Sequence, residues 1–240
     1  MSAQLSEEEI AARRATRLRL IAESEVVARP FLAELNKKFG LSLEKYTDLT
    51  RAQLSPQLLD VLLRQYEQCG NDLLRWDLNS VIAQSNHRID ADPLIHSFAN
   101  VSEPLLRFEL RCTILDTLSR VKTKQDISIW LTDLLSRPIG EQLGGAIFFA
   151  LAKHLRSEDA ERLIREHFWE SPGIAAECLS KIGNAETAQF LASRLEEFDA
   201  KTKDWDPSWE RSWHTKRITR SIRAIQNRIA RKLDREEREM

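Results

Sequence analysis

The sequence is poor in the residues that interrupt helices. It contains 7 glycines and 7 prolines in 240 residues, and nowhere does it sustain the alternation of apolar and polar residues that predicts a strand. Leu, Ala, Arg and Glu, which favour helix, dominate instead. The composition therefore predicts an all-α protein.

Cysteine and long apolar runs are also scarce. The three cysteines, Cys69, Cys112 and Cys178, are far apart and odd in number, which suits a reducing compartment better than a disulfide framework. The longest apolar stretch, around residues 146–152, is much shorter than the ~20 residues that a membrane-spanning helix needs. The N-terminus lacks the apolar segment and cleavage site of a signal peptide. We therefore expect a cytoplasmic protein with no membrane span.

The chain has no excess of charge of either sign. Lys plus Arg number 36 against 37 for Asp plus Glu, a net charge of -1, which excludes a generally basic nucleic-acid coat but permits local basic faces. No HExxH or Cys/His spacing predicts a zinc site, and neither a Gly-rich phosphate loop nor a Ser or Cys nucleophile motif occurs. We predict no catalytic residue, no metal and no cofactor, and favour a protein that is not an enzyme.

Helix boundaries are marked by capping residues followed by proline and by terminal glycines. Ser55-Pro56, Asp92-Pro93 and Asp206-Pro207 mark predicted starts, and Gly40, Gly70 and Gly183 mark predicted ends. The predicted helices are 6–28, 30–39, 56–68, 71–86, 93–99, 103–121, 125–136, 139–155, 158–169, 173–182, 185–198 and 207–236. The short linkers predict antiparallel helical hairpins in sequence order.

An internal repeat lies in the second half of the chain. Three segments align without gaps: LSRVKTKQDISIWLTDLL from Leu118, LAKHLRSEDAERLIREHF from Leu151 and LSKIGNAETAQFLASRLE from Leu179. Each begins with Leu, then a small residue, then a basic residue. A recurring pattern at this spacing is typical of stacked helical repeats.

These segments resemble the HEAT-like repeat family over residues ~103–198. The run LSKIGNAETA from Leu179 is especially similar to the short HEAT repeats first known from bilin lyases. The resemblance implies a right-handed α-solenoid of helical hairpins, with the helix after Pro207 as a long C-terminal cap. It would comprise N-terminal helices (1–40), the repeat array (41–200) and a loop with a long basic helix (201–240) in one continuous domain. A compact irregular helical bundle is the alternative.

The last predicted helix combines an apolar stripe with a basic face. At ~100° per residue, the apolar residues fall on one side: Ile218, Ile222, Ile225, Ile229 and Leu233. The basic side carries Lys216, Arg217, Arg220, Arg223, Arg228 and Arg231, and Trp209 and Trp213 project toward it. Such a face could bind an acidic protein or stack bases and neutralise phosphates. Alternatively, the two Trp side chains pack back onto the protein and the arginines are solvated.

A second basic feature comes from the repeat itself. Arg120, Lys153 and Lys181 hold the third position of the three aligned segments, and in a stacked array they would line one ridge that selects acidic partners. The alternative is a set of solvated cations at helix ends, where positive charge complements the helix dipole.

The tripeptide Arg75-Trp76-Asp77 carries a further, two-residue resemblance. DNA glycosylases of HEAT-like fold that excise alkylated bases use a Trp-Asp pair, in which aromatics hold the lesion and the carboxylate stabilises the sugar cation. Their pattern continues with a second Asp and more aromatics, whereas Leu78-Asn79-Ser80 follows here. We expect Trp76 in the core and Asp77 on a helix surface.

The sequence therefore favours a non-enzymatic scaffold, adaptor or immunity-type inhibitor that binds another protein with an acidic surface. The predicted binding residues are Trp209, Trp213, Arg217, Arg220, Arg223, Arg228, Arg120, Lys153 and Lys181. A nucleic-acid-binding protein, with the alkylation-repair glycosylase as its enzymatic form, is the alternative. The sequence leaves the oligomeric state open.

Overall fold

The computed structural model describes residues 6–204 and 208–239. Within these residues the chain is all-α, as the composition predicts, with strands confined to two segments of two residues each. The chain divides into two compact units, Met1–Asp126 and Ile127–Met240.

The first unit contains five of the α-helices: α1 (Glu7–Phe39), α2 (Pro56–Gln68), α3 (Asp72–Ile82), α4 (Asp92–Ala99) and α5 (Arg107–Arg120). Short 3₁₀ helices cover Tyr46–Arg51 and Pro104–Leu106. The segments β1 (Arg88–Ile89) and β2 (Lys122–Thr123) follow α3 and α5 and pair in parallel. The segments that follow α3 and α5 are thus joined to each other.

The second unit contains the remaining α-helices: α6 (Ser128–Leu135), α7 (Pro138–His154), α8 (Ser157–Glu166), α9 (Pro172–Ile182), α10 (Ala185–Lys201) and α11 (Ser208–Glu239). A 3₁₀ helix, Phe168–Glu170, links α8 to α9. The predicted linker 199–206 is shorter than expected, because α10 continues to Lys201. Trp205 and the predicted start at Asp206-Pro207 lie outside the described residues.

Several predicted boundaries are confirmed by their local hydrogen bonds. The Ser55 hydroxyl accepts the Leu58 N–H at 3.2 Å at the start of α2, and the Asn184 side chain accepts from Glu186 and Thr187 at the start of α10. Gly40 follows α1 with φ of +65°, a conformation that glycine adopts without strain.

The predicted break at Pro30 is wrong, because α1 runs from Glu7 to Phe39 with Pro30 inside it. Proline removes one backbone hydrogen bond from a helix interior and disfavours the helix there. Packing on both sides of it favours continuation, since Ala28 precedes the proline and Phe31, Leu32 and Leu35 follow it, all buried.

The helices α3 and α5, which are two apart in sequence, run parallel in the first unit. The Asp72 carboxylate, at the start of α3, accepts hydrogen bonds from Ser102 and Glu103 just before α5. Toward the other end of the same helices, the Thr117 hydroxyl donates to the Asn79 carbonyl at 3.4 Å. The helices α3 and α5 therefore start together and end together.

The same arrangement recurs in the second unit. A Cβ added to Gly145 of α7 would lie 2.6 Å from Ile174 Cδ1 near the start of α9, and Lys181 near the end of α9 lies 5.0 Å over the Phe149 ring. Between α8 and α10, Glu161 accepts from Thr187 and Arg165 lies over the Phe190 ring. The absence of a side chain at Gly145 thus permits a close approach between α7 and α9.

The aligned repeat positions belong to the core. Leu118, Leu151 and Leu179, the first residues of the three segments, are all fully buried. Further along the alignment, Ala160, Leu163 and Leu191 are buried as well. The three aligned leucines therefore occupy similar buried positions near the C-terminal ends of α5, α7 and α9.

None of the described helices combines the length and the apolarity that crossing a lipid bilayer requires.

Candidate functional site

The helix α11 packs on α9 and α10 through one narrow side. Its buried residues are spaced by four, three and four positions: His214, Ile218, Ser221 and Ile225. Of the predicted apolar stripe, Ile222 and Ile229 are half-buried and Leu233 is exposed. The docked side is thus shorter than the stripe and includes a histidine and a serine, which the apolar pattern did not predict.

His214 joins the start of α9 to α11. Its Nδ1 atom accepts the Gly173 backbone N–H at 2.9 Å, so Nδ1 carries no proton in this hydrogen bond. The Phe198 ring lies 5.5 Å from the imidazole. Burial, assisted by Arg217, lowers the pKa of His214, while Glu210 opposes the shift. The residue is therefore held neutral in the seam between the two helices.

Two of the predicted binding arginines join α11 to α9. Arg217 forms an ion pair with Glu177 of α9 and lies 4.2 Å over the Trp213 ring. The Arg228 guanidinium donates to the carbonyls of Ser180, Lys181 and Gly183, which close the C-terminal end of α9. Both side chains hold α11 in place, a role that the sequence did not predict.

The opposite side of α11 carries an exposed stripe, which we call the outward stripe: Trp209, Trp213, Lys216, Arg220 and Arg223. Trp209 is 67% exposed and Trp213 37% exposed. Lys216, Arg220 and Arg223 form no ion pair with any described residue. At 1.5 Å per residue the stripe is about 21 Å long. Trp209 and three unpaired cations are therefore presented together, whereas Trp213 is partly covered, because its ring lies under Arg217 and next to Gly173 of α9.

The basic positions of the repeat have different surroundings. Arg120 lies in the first unit and pairs with Asp116 one turn away. In the second unit, Lys181 lies over the Phe149 ring and 3.9 Å from Glu177, whereas Lys153 is exposed with no ion pair to any described residue. The ridge that these three residues were expected to form stays a prediction.

A second group of cations and aromatic rings, which sequence reasoning missed, lies on α10 and the 3₁₀ helix that precedes α9. Arg194 lies between the rings of Phe190 and Trp169, at 5.1 and 5.8 Å, and Lys201 lies 4.0 Å over Trp169. Glu197 forms ion pairs with both cations. This cluster is internally paired, in contrast with the outward stripe.

In the first unit, Arg75 and Asp72 form a buried ion pair at the start of α3. The Asp72 carboxylate is fully buried and accepts from the Arg75 guanidinium at 2.9 Å. It also accepts from Ser102 N–H, Ser102 Oγ and Glu103 N–H. In the tripeptide Arg75-Trp76-Asp77, Arg75 therefore has a structural role, because it neutralises the carboxylate that links α3 to the segment before α5.

Trp76 and Asp77 are half-buried and line two neighbouring cavities beside α1. The first, about 230 Å³, is lined by Trp76, Leu20 and Leu106 among others. The second, about 440 Å³, is lined by Asp77 and Tyr46, and the Tyr46 hydroxyl is buried without a hydrogen-bond partner among the described residues. The expected core position of Trp76 is thus wrong, since this residue is half-buried, and Asp77 lies on the surface of α3 within a cleft.

The carboxyl group of Asp77 is partly buried in this cleft. Burial raises its pKa above the ordinary value of an aspartate. Burial likewise raises the pKa of the Cys178 thiol in the second unit to about 12, which keeps this sulfur protonated and unreactive. Among the described residues, no group of His, Cys, Asp and Glu is arranged to hold a metal ion.

Comparison with known proteins finds no matching family model, no similar curated protein and no similar solved structure. The functional assignment therefore depends on the residues of this chain.

Proposed function

We propose that the protein is a non-enzymatic binding protein that recognises an acidic surface of a partner protein through the outward stripe. The observation that carries this proposal is that the basic residues on the two sides of α11 differ in their contacts. Arg217 and Arg228 are used to dock α11 on α9, whereas Lys216, Arg220 and Arg223 are exposed and have no acidic partner among the described residues. Trp and Arg, both of which the outward stripe presents, are residue types that dominate the binding energy of protein interfaces.

We further propose that the helices form a HEAT-like, right-handed α-solenoid in which α11 is the C-terminal cap. Three observations support this proposal. The helices α3 and α5 run parallel, as do α7 and α9. The segments after α3 and α5 pair with each other, and the aligned leucines are all buried. Repeat arrays present extended surfaces for binding. An adaptor or an immunity-type inhibitor would use such a surface in the same way.

We place this activity in the cytoplasm. All three cysteines are free thiols, and a reducing compartment keeps thiols in that state.

Binding of nucleic acid is the second candidate, because the same residues carry the chemistry that it requires. Between Thr215 and Lys232 there are seven basic residues and no acid, and an exposed Trp209 could stack on a base. Three of those seven cations, Arg217, Arg228 and Lys232, already have partners within the protein, however, and the net charge of the chain is -1. A surface with few unpaired cations favours a protein partner over a polyanion.

Affinity capture with matched variants tests the first proposal. The wild type, Arg220→Glu/Arg223→Glu and the control Arg156→Glu are compared, since Arg156 is also exposed and has no ion pair with a described residue. We expect an acidic protein to co-purify with the wild type and with the control but not with the double variant. Identical captures from all three proteins would contradict the proposal.

A salt series separates the two candidates. Trp fluorescence is followed while single-stranded and double-stranded DNA and RNA are added at increasing salt concentration. Neutralised phosphates give a steep fall in affinity with salt, which Arg220→Glu/Arg223→Glu would abolish if the stripe binds nucleic acid. We expect no such binding at low salt.

A further inference from the structure

The outward stripe has the periodicity of a helix-packing surface. Its residues are separated by four, three, four and three positions, from Trp209 to Arg223. The buried residues on the other side of α11, from His214 to Ile225, show the same spacing. A spacing that averages 3.5 residues is what allows one helix to pack along another over several turns. The outward stripe is therefore built like the side of α11 that already holds a helix.

The position of the stripe also favours a helix. In the second unit α9 lies between α7 and α11, and it contacts both. The helix α11 packs on α9 and α10 with its buried side, while the outward stripe is exposed. No described helix of this chain covers the outward stripe, so the position next to α11 in this row of helices is free. A partner helix lying there would extend the row by one element.

The chemistry of the stripe specifies which helix would fit. Lys216, Arg220 and Arg223 are separated by about 6 and 4.5 Å along the axis, so they match acidic side chains that follow one another at every third or fourth residue. At the other end Trp209, which is 67% exposed, offers aromatic area that pairs with an apolar side chain. A neutral or basic helix would leave the three cations without partners.

We propose that the occupant of the outward stripe is an acidic amphipathic helix of the partner protein, with an apolar residue near Trp209 and acidic residues along Lys216, Arg220 and Arg223. This inference rests on the proposed function and adds the form of the partner to it. The partner helix lies along α11 rather than across it, because all five residues of the stripe follow the helix axis.

Selection of peptides tests the proposal even while the partner is unidentified. A library of random 18-residue peptides is selected on the full-length protein and depleted on the Arg220→Glu/Arg223→Glu variant. We expect enriched peptides to carry Asp or Glu at every third or fourth position and an apolar residue at one end. Replacement of a central residue by Pro should weaken their binding at least ten-fold, whereas Arg156→Glu in the protein should leave it unchanged.

Two results would overturn the inference, and they differ in what they mean for the proposed function. Enriched acidic peptides whose affinity changes less than two-fold with a central Pro would show that the stripe binds an extended segment, and the proposed function would stand. If no peptide distinguishes the wild type from the double variant, the helical occupant is refuted. The capture experiment then decides separately whether the stripe binds a protein at all.

Discussion

The backbone N–H of Gly173 donates a 2.9 Å hydrogen bond to Nδ1 of His214, which ties the first turn of α9 to α11. A Cβ at position 173 would lie 2.9 Å from this nitrogen and 2.9 Å from Cζ3 of Trp213. The absence of a side chain at Gly173 is thus what allows the imidazole to reach the backbone. The Arg217–Glu177 ion pair joins the same two helices.

Gly173→Ala is expected to lower the free energy of unfolding by about 1–3 kcal/mol, because the added methyl group forces α11 away from α9. Gly70→Ala is the control, since a Cβ there meets no atom within 4 Å, and it should change stability by no more than about 1 kcal/mol in the stabilising direction. Urea unfolding followed by circular dichroism measures both. Equal effects of the two substitutions would contradict the close approach.

The pKa of His214 makes stability depend on pH. Because burial lowers this pKa, the unfolded chain takes up the proton first as the pH falls. The contribution of the neutral imidazole is therefore fully present above about pH 6.5, the usual pKa of histidine, and is lost as the pH falls below it toward the folded-state value. His214→Gln should flatten the dependence of unfolding free energy on pH between 8 and 5. Parallel curves for the variant and the wild type would be inconsistent with a neutral buried imidazole.

Asp72 is expected to be among the most sensitive positions of the first unit. Asp72→Ala removes the acceptor for two backbone N–H groups, a hydroxyl and the Arg75 guanidinium, and should cost about 3 kcal/mol. Asp60→Ala should cost less than about 0.5 kcal/mol, because Asp60 is exposed and lies 3.9 Å from Lys124. Thermal unfolding of both variants checks the difference, and similar melting temperatures would refute the role of Asp72.

Asp77 is expected to reduce stability at neutral pH. Its raised pKa means that the folded state favours the protonated carboxyl group, so ionisation above the ordinary pKa of about 3.9 costs free energy. Asp77→Asn should raise the melting temperature at pH 7, and the gain should disappear below about pH 4. A melting temperature lowered by Asp77→Asn at pH 7 would mean that the carboxylate has a stabilising partner.

The same variant tests the glycosylase alternative, since unchanged excision of alkylated bases would exclude Asp77 as its catalytic group.

Arg228 and Arg223 are expected to separate stability from binding. Arg228→Ala leaves the last carbonyls of α9 without their donor and should cost about 1–2 kcal/mol. Arg223→Ala, on the exposed side of the same helix, should change stability by less than about 0.5 kcal/mol and weaken partner binding instead. Unfolding and binding measured on the same preparations would show whether the two effects are separable.

Much of the helical framework is predictable from local sequence. Ser55 identifies a helix start because a cap needs only neighbouring backbone groups. Leu118, Leu151 and Leu179 identify core positions because residues at the same place in aligned segments pack in the same way. The predicted break at Pro30 is wrong because packing beyond the proline, which sequence periodicity does not weigh, favours a continuous α1.

The site is predictable only in part, for a physical reason. The ~100° turn per residue places Arg220 and Arg223 on the outer side of α11 correctly. It does not reveal that long side chains flanking the seam reach back to the neighbouring helix, as Arg217 and Arg228 do. The roles of Asp72 and Asp77 depend on contacts between distant segments, which one sequence does not display.

The most direct test of the proposed function is the affinity of the purified partner for the wild type, Arg220→Glu/Arg223→Glu and Arg156→Glu, measured by titration calorimetry. Each reversed charge removes one attraction and adds one repulsion, so the double variant should bind at least ~100-fold more weakly, a loss of about 2.7 kcal/mol. The control should match the wild type. Equal affinity of all three proteins for the partner would contradict a binding surface on the outward stripe.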